Sequence, residues 1–177
     1  MGTLTKRLGQ MATRSLETES ANIMKTSMAN KIPGSLAKQL DTTLREGHDM
    51  KVFGLGTAAS MANVQRYQRF TTSMHAVYST MEVEFDRATP TAAPLVHELW
   101  SKHGSCLRRA PSLALDLEDV GGPATGASPA TDRYVEAIRV AGADDRERGG
   151  ARMLGHLYCR YFADLFGGSM LAMPTRV

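Results

Sequence analysis

Apolar residues recur every three or four positions along most of the chain, which is the spacing of an amphipathic α-helix. The longest run covers residues 58–87, and its apolar positions define one face for burial. These positions are Met61, Val64, Tyr67, Phe70, Met74, Val77, Tyr78, Met81 and Phe85. No segment alternates with the period of two that a half-buried strand requires. The pattern therefore predicts an all-α protein of six to eight helices.

The same periodicity, interrupted by Pro and Gly, predicts where the other helices and loops fall. Helices are expected over residues 4–29, 35–46, 95–108, 113–117, 131–140 and from 153 onward. Loops or turns are expected at 33–34, 52–57, 89–94, 120–130 and 142–150. A chain of 177 residues is long enough for one core, so we expect a single domain over residues 1–177.

Composition excludes several classes of protein. The net charge is +3, from 21 Lys and Arg against 18 Asp and Glu, and the basic residues are scattered, so no nucleic-acid partner is expected. No run of about 20 apolar residues predicts a transmembrane helix. Cys106 and Cys159 lack the spacing of a disulfide framework or a zinc site. No metal is therefore expected, and the chain is typical of a reducing compartment.

The last predicted helix carries the most specific motif. It reads Gly155-His156-Leu157-Tyr158-Cys159-Arg160-Tyr161-Phe162-Ala163-Asp164-Leu165-Phe166-Gly167-Gly168-Ser169. This resembles the Ala-His-x-Tyr-x-Arg-Tyr-Leu-Gly-Asp-Leu-Ser-Gly-Gly-Gln motif of the heme oxygenase family. Residues 77–85, 113–119 and 133–135 resemble further segments of that family, in the same order. The resemblance spans nearly the whole chain and implies the family's multi-helical fold.

The resemblance also implies a heme site. In the family, an axial histidine holds the iron, a glycine-containing distal helix lies close to the porphyrin, and a distal Asp organises water around bound oxygen. Asp164 matches the distal Asp, and the glycine pair is retained. If a tetrapyrrole binds, the resemblance assigns its contacts to Glu17, Tyr158, Asp164, Gly167 and Gly168.

The N-terminal part of the chain departs from the family pattern. The family carries its proximal histidine in a Thr-Lys-x-x-His-Thr type sequence, which we match to residues 13–18. This places Glu17 at the ligand position and Gln10 where a Lys pairs with a propionate. A carboxylate is a hard oxygen ligand that holds reduced iron poorly. No histidine occurs in residues 1–47, so the match predicts loss of the proximal ligand.

Two substitutions affect the distal segment. Ala163 replaces the family's first glycine, and its methyl group points where porphyrin and oxygen would lie. Phe166 replaces a much smaller serine. Only seven residues follow Met170, so the family's further C-terminal helices are expected to be missing. These departures favour a C-terminally shortened, degenerate heme oxygenase-like fold with no catalytic residues, in which Asp164 is a relic.

The leading functional hypothesis is a non-catalytic protein that acts as a structural subunit or assembly factor of a larger complex, with no cofactor. Algal and plastid members resemble the run from Tyr78 to Glu82 most closely, which favours a plastid, peripheral to a membrane complex such as a photosynthetic one. Otherwise a soluble, intracellular protein is expected.

Two alternatives to the leading functional hypothesis stay open. One is heme cleavage to biliverdin, with Asp164 organising water. The other is a carrier of heme or another tetrapyrrole without turnover.

Several side chains also have a structural interpretation. Asp164 is expected to hydrogen-bond a neighbouring side chain or backbone group. His156 is expected to be a packing histidine with its polar atoms satisfied. Cys159 is expected to be a buried, unreactive thiol. His75, near the inner face of the long helix, is the alternative metal ligand.

Overall fold

The computed structural model describes residues 32–47, 56, 59–126 and 128–162, and the structural statements below concern those residues. The helices with complete bounds are α1 (Leu36–Gly47), α2 (Val64–Asp86), α3 (Pro94–Leu107), α4 (Ala110–Asp119), α5 (Pro129–Arg148) and α6 (Arg152–Leu157). A π-helical turn (Tyr158–Phe162) continues α6. No strand occurs in this part of the chain, which confirms the all-α prediction. The helix predicted over 4–29 lies outside the described residues.

The chain divides into two compact units. One comprises residues 1–50 and 162–177, and the other comprises residues 51–161. In the first unit, Ser35 begins α1 by accepting the N–H of Lys38 on its Oγ at 3.2 Å. This is the way in which Ser commonly caps a helix. The expectation of a single domain over residues 1–177 stays a prediction.

Helix α2 is the centre of the second unit and contacts α3, α4, α5 and α6. Its buried face meets aromatic and aliphatic side chains from the neighbouring helices. The Phe85 and Trp100 rings stack at 4.6 Å, and the Tyr78 and Tyr161 rings meet edge to face at 5.1 Å. The main buried residues of this core are Val77, Tyr78, Met81, Phe85, Val96, Trp100, Val135, Ile138, Met153, Leu157 and Tyr161. Their removal from water supplies the main favourable term for folding.

Local sequence explains where the long helices begin and end. The Asn63 side chain accepts the N–H of Arg66 at 2.9 Å, so α2 begins at Val64. Ser128 accepts the N–H of Thr131 at 3.1 Å and is followed by Pro129, a favoured first helical residue. Helix α5 ends at Gly149, whose φ of +69° lies in the left-handed region that glycine adopts without strain.

The predicted buried faces were wrong at several positions. Met61 precedes α2 in a turn and is 46% exposed. Val64, in the first turn of α2, is 59% exposed. Leu95 in α3 and Leu115 in α4 are likewise 57% and 62% exposed. Periodicity identified the helices, but it did not show that these positions lie where no neighbouring helix covers them.

The predicted turn over residues 142–150 was also wrong, because α5 continues to Arg148. Gly142 is buried, and a Cβ at this position would overlap the side chain of Glu84 on α2. The glycine therefore permits close approach of two helices instead of breaking one. The charged residues that follow are used in packing, since Arg146 pairs with Glu84 at 2.5 Å and Asp145 is buried. The helix predicted over 131–140 also begins earlier, with Ser128 as its N-cap.

Candidate functional site

The family-like motif begins in α6 and continues through the π-helical turn. Met153, Leu157 and Tyr161 follow one another at helical spacing and are buried, so they form the apolar face of this segment. Leu154 packs partly buried against the same core. Tyr158, which the resemblance assigned to a tetrapyrrole site, is half-buried and begins the π-helical turn. The other four assigned residues lie outside the described part of the chain: Glu17, Asp164, Gly167 and Gly168.

The π-helical turn changes the register of the motif. A π-helix contains one more residue per hydrogen-bonded ring than an α-helix, and such turns occur frequently at functional sites. Here it covers Tyr158–Phe162, immediately before the residues that would carry the distal chemistry. An ideal spacing of 3.6 residues therefore does not hold through this turn, and the sequence pattern gave no sign of it.

Two polar side chains of the motif, His156 and Arg160, pack around Tyr134 of α5. The Tyr134 hydroxyl lies 3.1 Å from Nδ1 of His156, and Arg160 donates from Nε to the same hydroxyl at 3.3 Å. The Arg160 guanidinium also lies over the Tyr134 ring, 4.6 Å from its centroid. Burial, followed by the nearby positive charge of Arg160, lowers the pKa of His156. This geometry confirms the prediction of a packing histidine, and it joins the motif to the helix that carries the family-like Tyr134-Val135.

Glu82 is the central polar residue beneath the motif. Its side chain is buried, and Oε1 accepts the backbone N–H groups of Arg109 and Ala110 at 2.6 and 3.0 Å. Tyr161 donates its hydroxyl to the same oxygen at 3.4 Å. Burial, and then the Glu82 charge, raises the pKa of Tyr161 well above its usual range. Tyr161 therefore stays neutral and serves as a hydrogen-bond donor to the carboxylate.

Buried carboxylates cap two helices that have no side-chain cap of their own. Helix α4 starts after Arg109 and α6 after Ala151, and neither residue supplies a capping side chain. Glu82 from α2 fills this role for α4. Asp145 from α5 fills it for α6, accepting the N–H groups of Arg152 and Met153, each at 2.8 Å. The first N–H groups of a helix need such acceptors, so these acids hold helices together.

Sequence reasoning missed this role of the acids, although a signal was present. Glu82 falls four residues after Tyr78 and three before Phe85, on the buried stripe of α2. Asp145 falls four residues after Ala141 and seven after Ile138, on the buried stripe of α5. A charged residue at a core position is almost never fully buried unless it has a partner. Its position on the stripe therefore indicates a buried, hydrogen-bonded acid.

Other sequence expectations for single residues have mixed outcomes. Cys159 was expected to be buried, but it is exposed because it lies on the outer side of the π-helical turn. His75 is half-buried, and its Nε2 lies 3.4 Å from the Ser79 hydroxyl. Across the described ranges, no three His, Cys, Asp or Glu side chains gather as metal ligands. In those ranges no helix combines the length and apolar character needed to cross a membrane.

These features define an all-α protein whose last described helix carries a His-x-Tyr-x-Arg-Tyr motif packed on a central helix. A family model described as heme oxygenase matches residues 35–176. The chain therefore belongs to the heme oxygenase family. The family prediction made from the motif is confirmed.

Two curated proteins are similar to the chain. A protein named heme oxygenase from Takifugu rubripes is 26% identical over 156 residues, covering 83% of this chain and 53% of that protein. Heme oxygenase 1 from Gallus gallus is 29% identical over 156 residues, covering 81% and 48%. The chain thus spans about half the length of the curated relatives it matches. No solved structure gives a significant match.

Proposed function

We propose that this chain binds heme as other members of its family do, with His48 as the axial ligand. The observation that carries this proposal is the start of the family match at residue 35, which leaves Glu17 outside the matched region. Helix α1 (Leu36–Gly47) is the first described helix of that region, and His48 follows it directly in the sequence. Neutral imidazole is the usual axial ligand of heme iron in many proteins.

The local sequence supports His48 in this role. The family's Thr-Lys-x-x-His-Thr pattern aligns with Leu44-Arg45-Glu46-Gly47-His48-Asp49, which keeps the cation three residues before the histidine. In this alignment the ligand position is occupied by the imidazole of His48, whereas the alignment with residues 13–18 placed Glu17 there. It also leaves residues 1–34 as sequence that precedes the family match.

The other histidines already have different surroundings. His97 lies with its Nδ1 3.0 Å from the Ala88 carbonyl oxygen, His156 contacts Tyr134, and His75 contacts Ser79. His103 is exposed on α3. Within the described residues, the histidines are therefore engaged in packing or face solvent, which favours His48 for the iron.

Turnover would depend on the distal motif. Asp164 is the residue proposed to hold water near bound oxygen, and Gly167 and Gly168 would allow the backbone to approach the flat ligand. The reaction would be cleavage of heme to biliverdin, iron and carbon monoxide, with oxygen and an external reductant as co-substrates. Tyr158 remains a proposed tetrapyrrole contact.

A second candidate is a non-catalytic subunit or assembly factor of a larger complex. The observation that favours it is the pair of substitutions at Ala163 and Phe166, which add bulk to the distal motif. In this case no tetrapyrrole is needed, and the partner would be a protein of a plastid complex, with the chain peripheral to the membrane. A third candidate is a tetrapyrrole carrier. It would bind heme without cleaving it, because Asp164 would no longer hold water near bound oxygen.

Hemin titration of the purified full chain, followed by absorption in the Soret region, distinguishes these candidates. Heme binding through His48 predicts a saturable band in the unmodified chain that His48→Ala weakens at least tenfold. The exposed-histidine control His103→Ala should bind as the unmodified chain does. Loss of binding in Glu17→Ala, with His48→Ala unaffected, would instead support Glu17 as the ligand.

Three further outcomes separate the remaining candidates. Biliverdin formation with a chemical or enzymatic reductant, abolished by Asp164→Asn, supports the enzyme. Stoichiometric binding without biliverdin supports the carrier. No saturable band at micromolar hemin overturns heme binding and supports the subunit. Co-sedimentation of the chain with plastid membranes, before and after a salt wash, then tests the peripheral location.

A further inference from the structure

An open groove lies along the first turns of α2, in the unit of residues 51–161. Its volume is about 340 Å³, and its lining residues come from α2 and from the helical residues that precede it. They are Gly56, Ala59, Ser60, Arg66, Arg69, Phe70 and Ser73. None of them belongs to the family-like motifs. The volume is at the lower end of the roughly 300–1,000 Å³ typical of small-molecule sites.

The two arginines of this groove differ from most others in the described residues. Arg66 and Arg69 are exposed, and within the described ranges neither guanidinium forms an ion pair or a hydrogen bond. In contrast, carboxylates pair with the arginines at six other positions: Arg87, Arg108, Arg139, Arg146, Arg148 and Arg152. Within the described residues, the positive charge of the groove is therefore not balanced by an ion pair with an acid.

The position of the arginines on the helix adds to this charge. Arg66 lies in the first turn of α2, where the helix macrodipole is positive and where no acidic residue is present. Arg69 follows three residues later on the same side, and like charges at this spacing repel. An anion between the two guanidiniums would relieve both effects. Arginine suits this role because its planar fork binds carboxylate or phosphate with two parallel hydrogen bonds.

The remaining lining residues indicate what the anion should carry. The Phe70 ring is half-buried and forms an apolar wall beside the arginines. The Ser73 hydroxyl makes no hydrogen bond within the described residues, so it can donate to an oxygen of the ligand. Gly56 and Ala59 also line the groove, and their small size leaves space for a flat group. An aromatic ring attached to the anionic group would stack on Phe70 while its charge meets the arginines.

We propose that this groove binds a small aromatic anion, with a phosphoryl or carboxylate group held by Arg66 and Arg69 and its ring against Phe70. The probes are phenyl phosphate, benzoate and inorganic phosphate, titrated into the full chain by NMR or calorimetry. Phenyl phosphate should bind at least fivefold more tightly than inorganic phosphate. Comparing benzoate with phenyl phosphate then identifies which anionic group the groove prefers.

The double variant Arg66→Gln/Arg69→Gln should weaken phenyl phosphate binding at least tenfold. The matched control Arg133→Gln/Arg139→Gln removes the same charge from exposed positions of α5 and should change the affinity less than twofold. Phe70→Leu should remove the advantage of phenyl phosphate over inorganic phosphate. Hemin titration of the Arg66/Arg69 variant is expected to be unchanged, which separates this groove from the proposed heme site.

Two results would overturn the proposal. Equal weakening in the two arginine double variants would show that binding reflects net charge alone. No saturable signal for any probe at millimolar concentration and low salt would show that the groove does not bind this class of anion. Circular dichroism of each variant checks that the helices are retained, so that a loss of binding is attributed to the groove.

Discussion

The charged side chains at the two ends of α2 differ in burial and in pairing. Near its C-terminal end, Glu82 and Glu84 are buried, with side chains only 6% and 2% exposed, and every charge has a partner from another helix or from the same one. Near its N-terminal end, Arg66 and Arg69 face solvent, with no acid beside them in the described residues. One helix thus carries both buried acids held by partners and exposed arginines that form no ion pair within the described residues.

The difference follows from which helices cover each end. Helices α3, α4 and α5 pack on the C-terminal part of α2, so a charge there must replace its lost water with protein donors. In the N-terminal turns, Tyr67 and Gln68 bond to Asp116 of α4 and to the loop that follows it, whereas Arg66 and Arg69 are exposed and keep their hydration. Burial therefore identifies residues that hold the fold, whereas exposure without a partner identifies residues that are available for a ligand.

The largest expected effect is at the covered end. Glu82→Ala leaves the first N–H groups of α4 without this acceptor and removes the acceptor of the Tyr161 hydroxyl. Loss of a buried charged partner typically costs about 3 to 5 kcal/mol, so we expect this loss in the free energy of unfolding, measured with urea. Glu136→Ala, on an exposed ion pair of α5, is the control. A similar small effect for both variants would refute the capping role of Glu82.

A smaller but related effect is expected for Asp145→Ala. The carboxylate is 1% exposed and caps α6 through two N–H groups, so its loss should destabilise the protein by about 2 to 4 kcal/mol. The adjacent Asp144 has a side chain that is 16% exposed, and it pairs with the exposed Arg148 and Arg152 without capping a helix, so Asp144→Ala should cost less, about 1 kcal/mol. Equal thermal midpoints for the two variants would contradict the capping role of Asp145.

The next effect is a pH dependence at the motif. Burial and the Arg160 charge lower the pKa of His156 in the folded state, so the unfolded chain binds more protons. The free energy of unfolding should therefore fall as the pH drops below about 6.5, the ordinary histidine value. His156→Asn should flatten this slope between pH 7.5 and 5.5, while His103→Asn should not. The measurement is the thermal midpoint of each protein over this pH range. Identical slopes in the unmodified chain, His156→Asn and His103→Asn would contradict the role of His156.

The smallest effect on stability is expected at the open end. Arg66→Gln/Arg69→Gln removes two exposed charges that repel each other near a helix N-terminus. The free energy of unfolding should therefore change by less than about 0.5 kcal/mol. Any change should be an increase, because the positive end of the helix disfavours cations. Urea unfolding measures this, and a destabilisation above about 1 kcal/mol would show that the two arginines contribute to the fold. The comparison between the two ends of α2 would then lose its basis.

The sequence predicted much of this fold because helix periodicity is local. The core face at Val77, Tyr78, Met81 and Phe85 was read from spacing alone, and all four residues are buried. The family motif around His156 also led to the correct family. In contrast, the sequence match that placed Glu17 at the proximal position has no support from the family match, which begins at residue 35. A short, variable pattern such as Thr-Lys-x-x-His-Thr can be aligned in more than one register.

The sequence by itself determined the helical class, the apolar stripes and the family, because these depend on spacing and residue identity along the chain. Only the tertiary structure decided which groups the buried acids bond to, that Gly142 continues α5 instead of ending it, and that the motif passes through a π-helical turn. Each of these depends on contacts between helices distant in sequence. Glu82 caps α4 from 27 residues away, and no local pattern specifies a bond of that range.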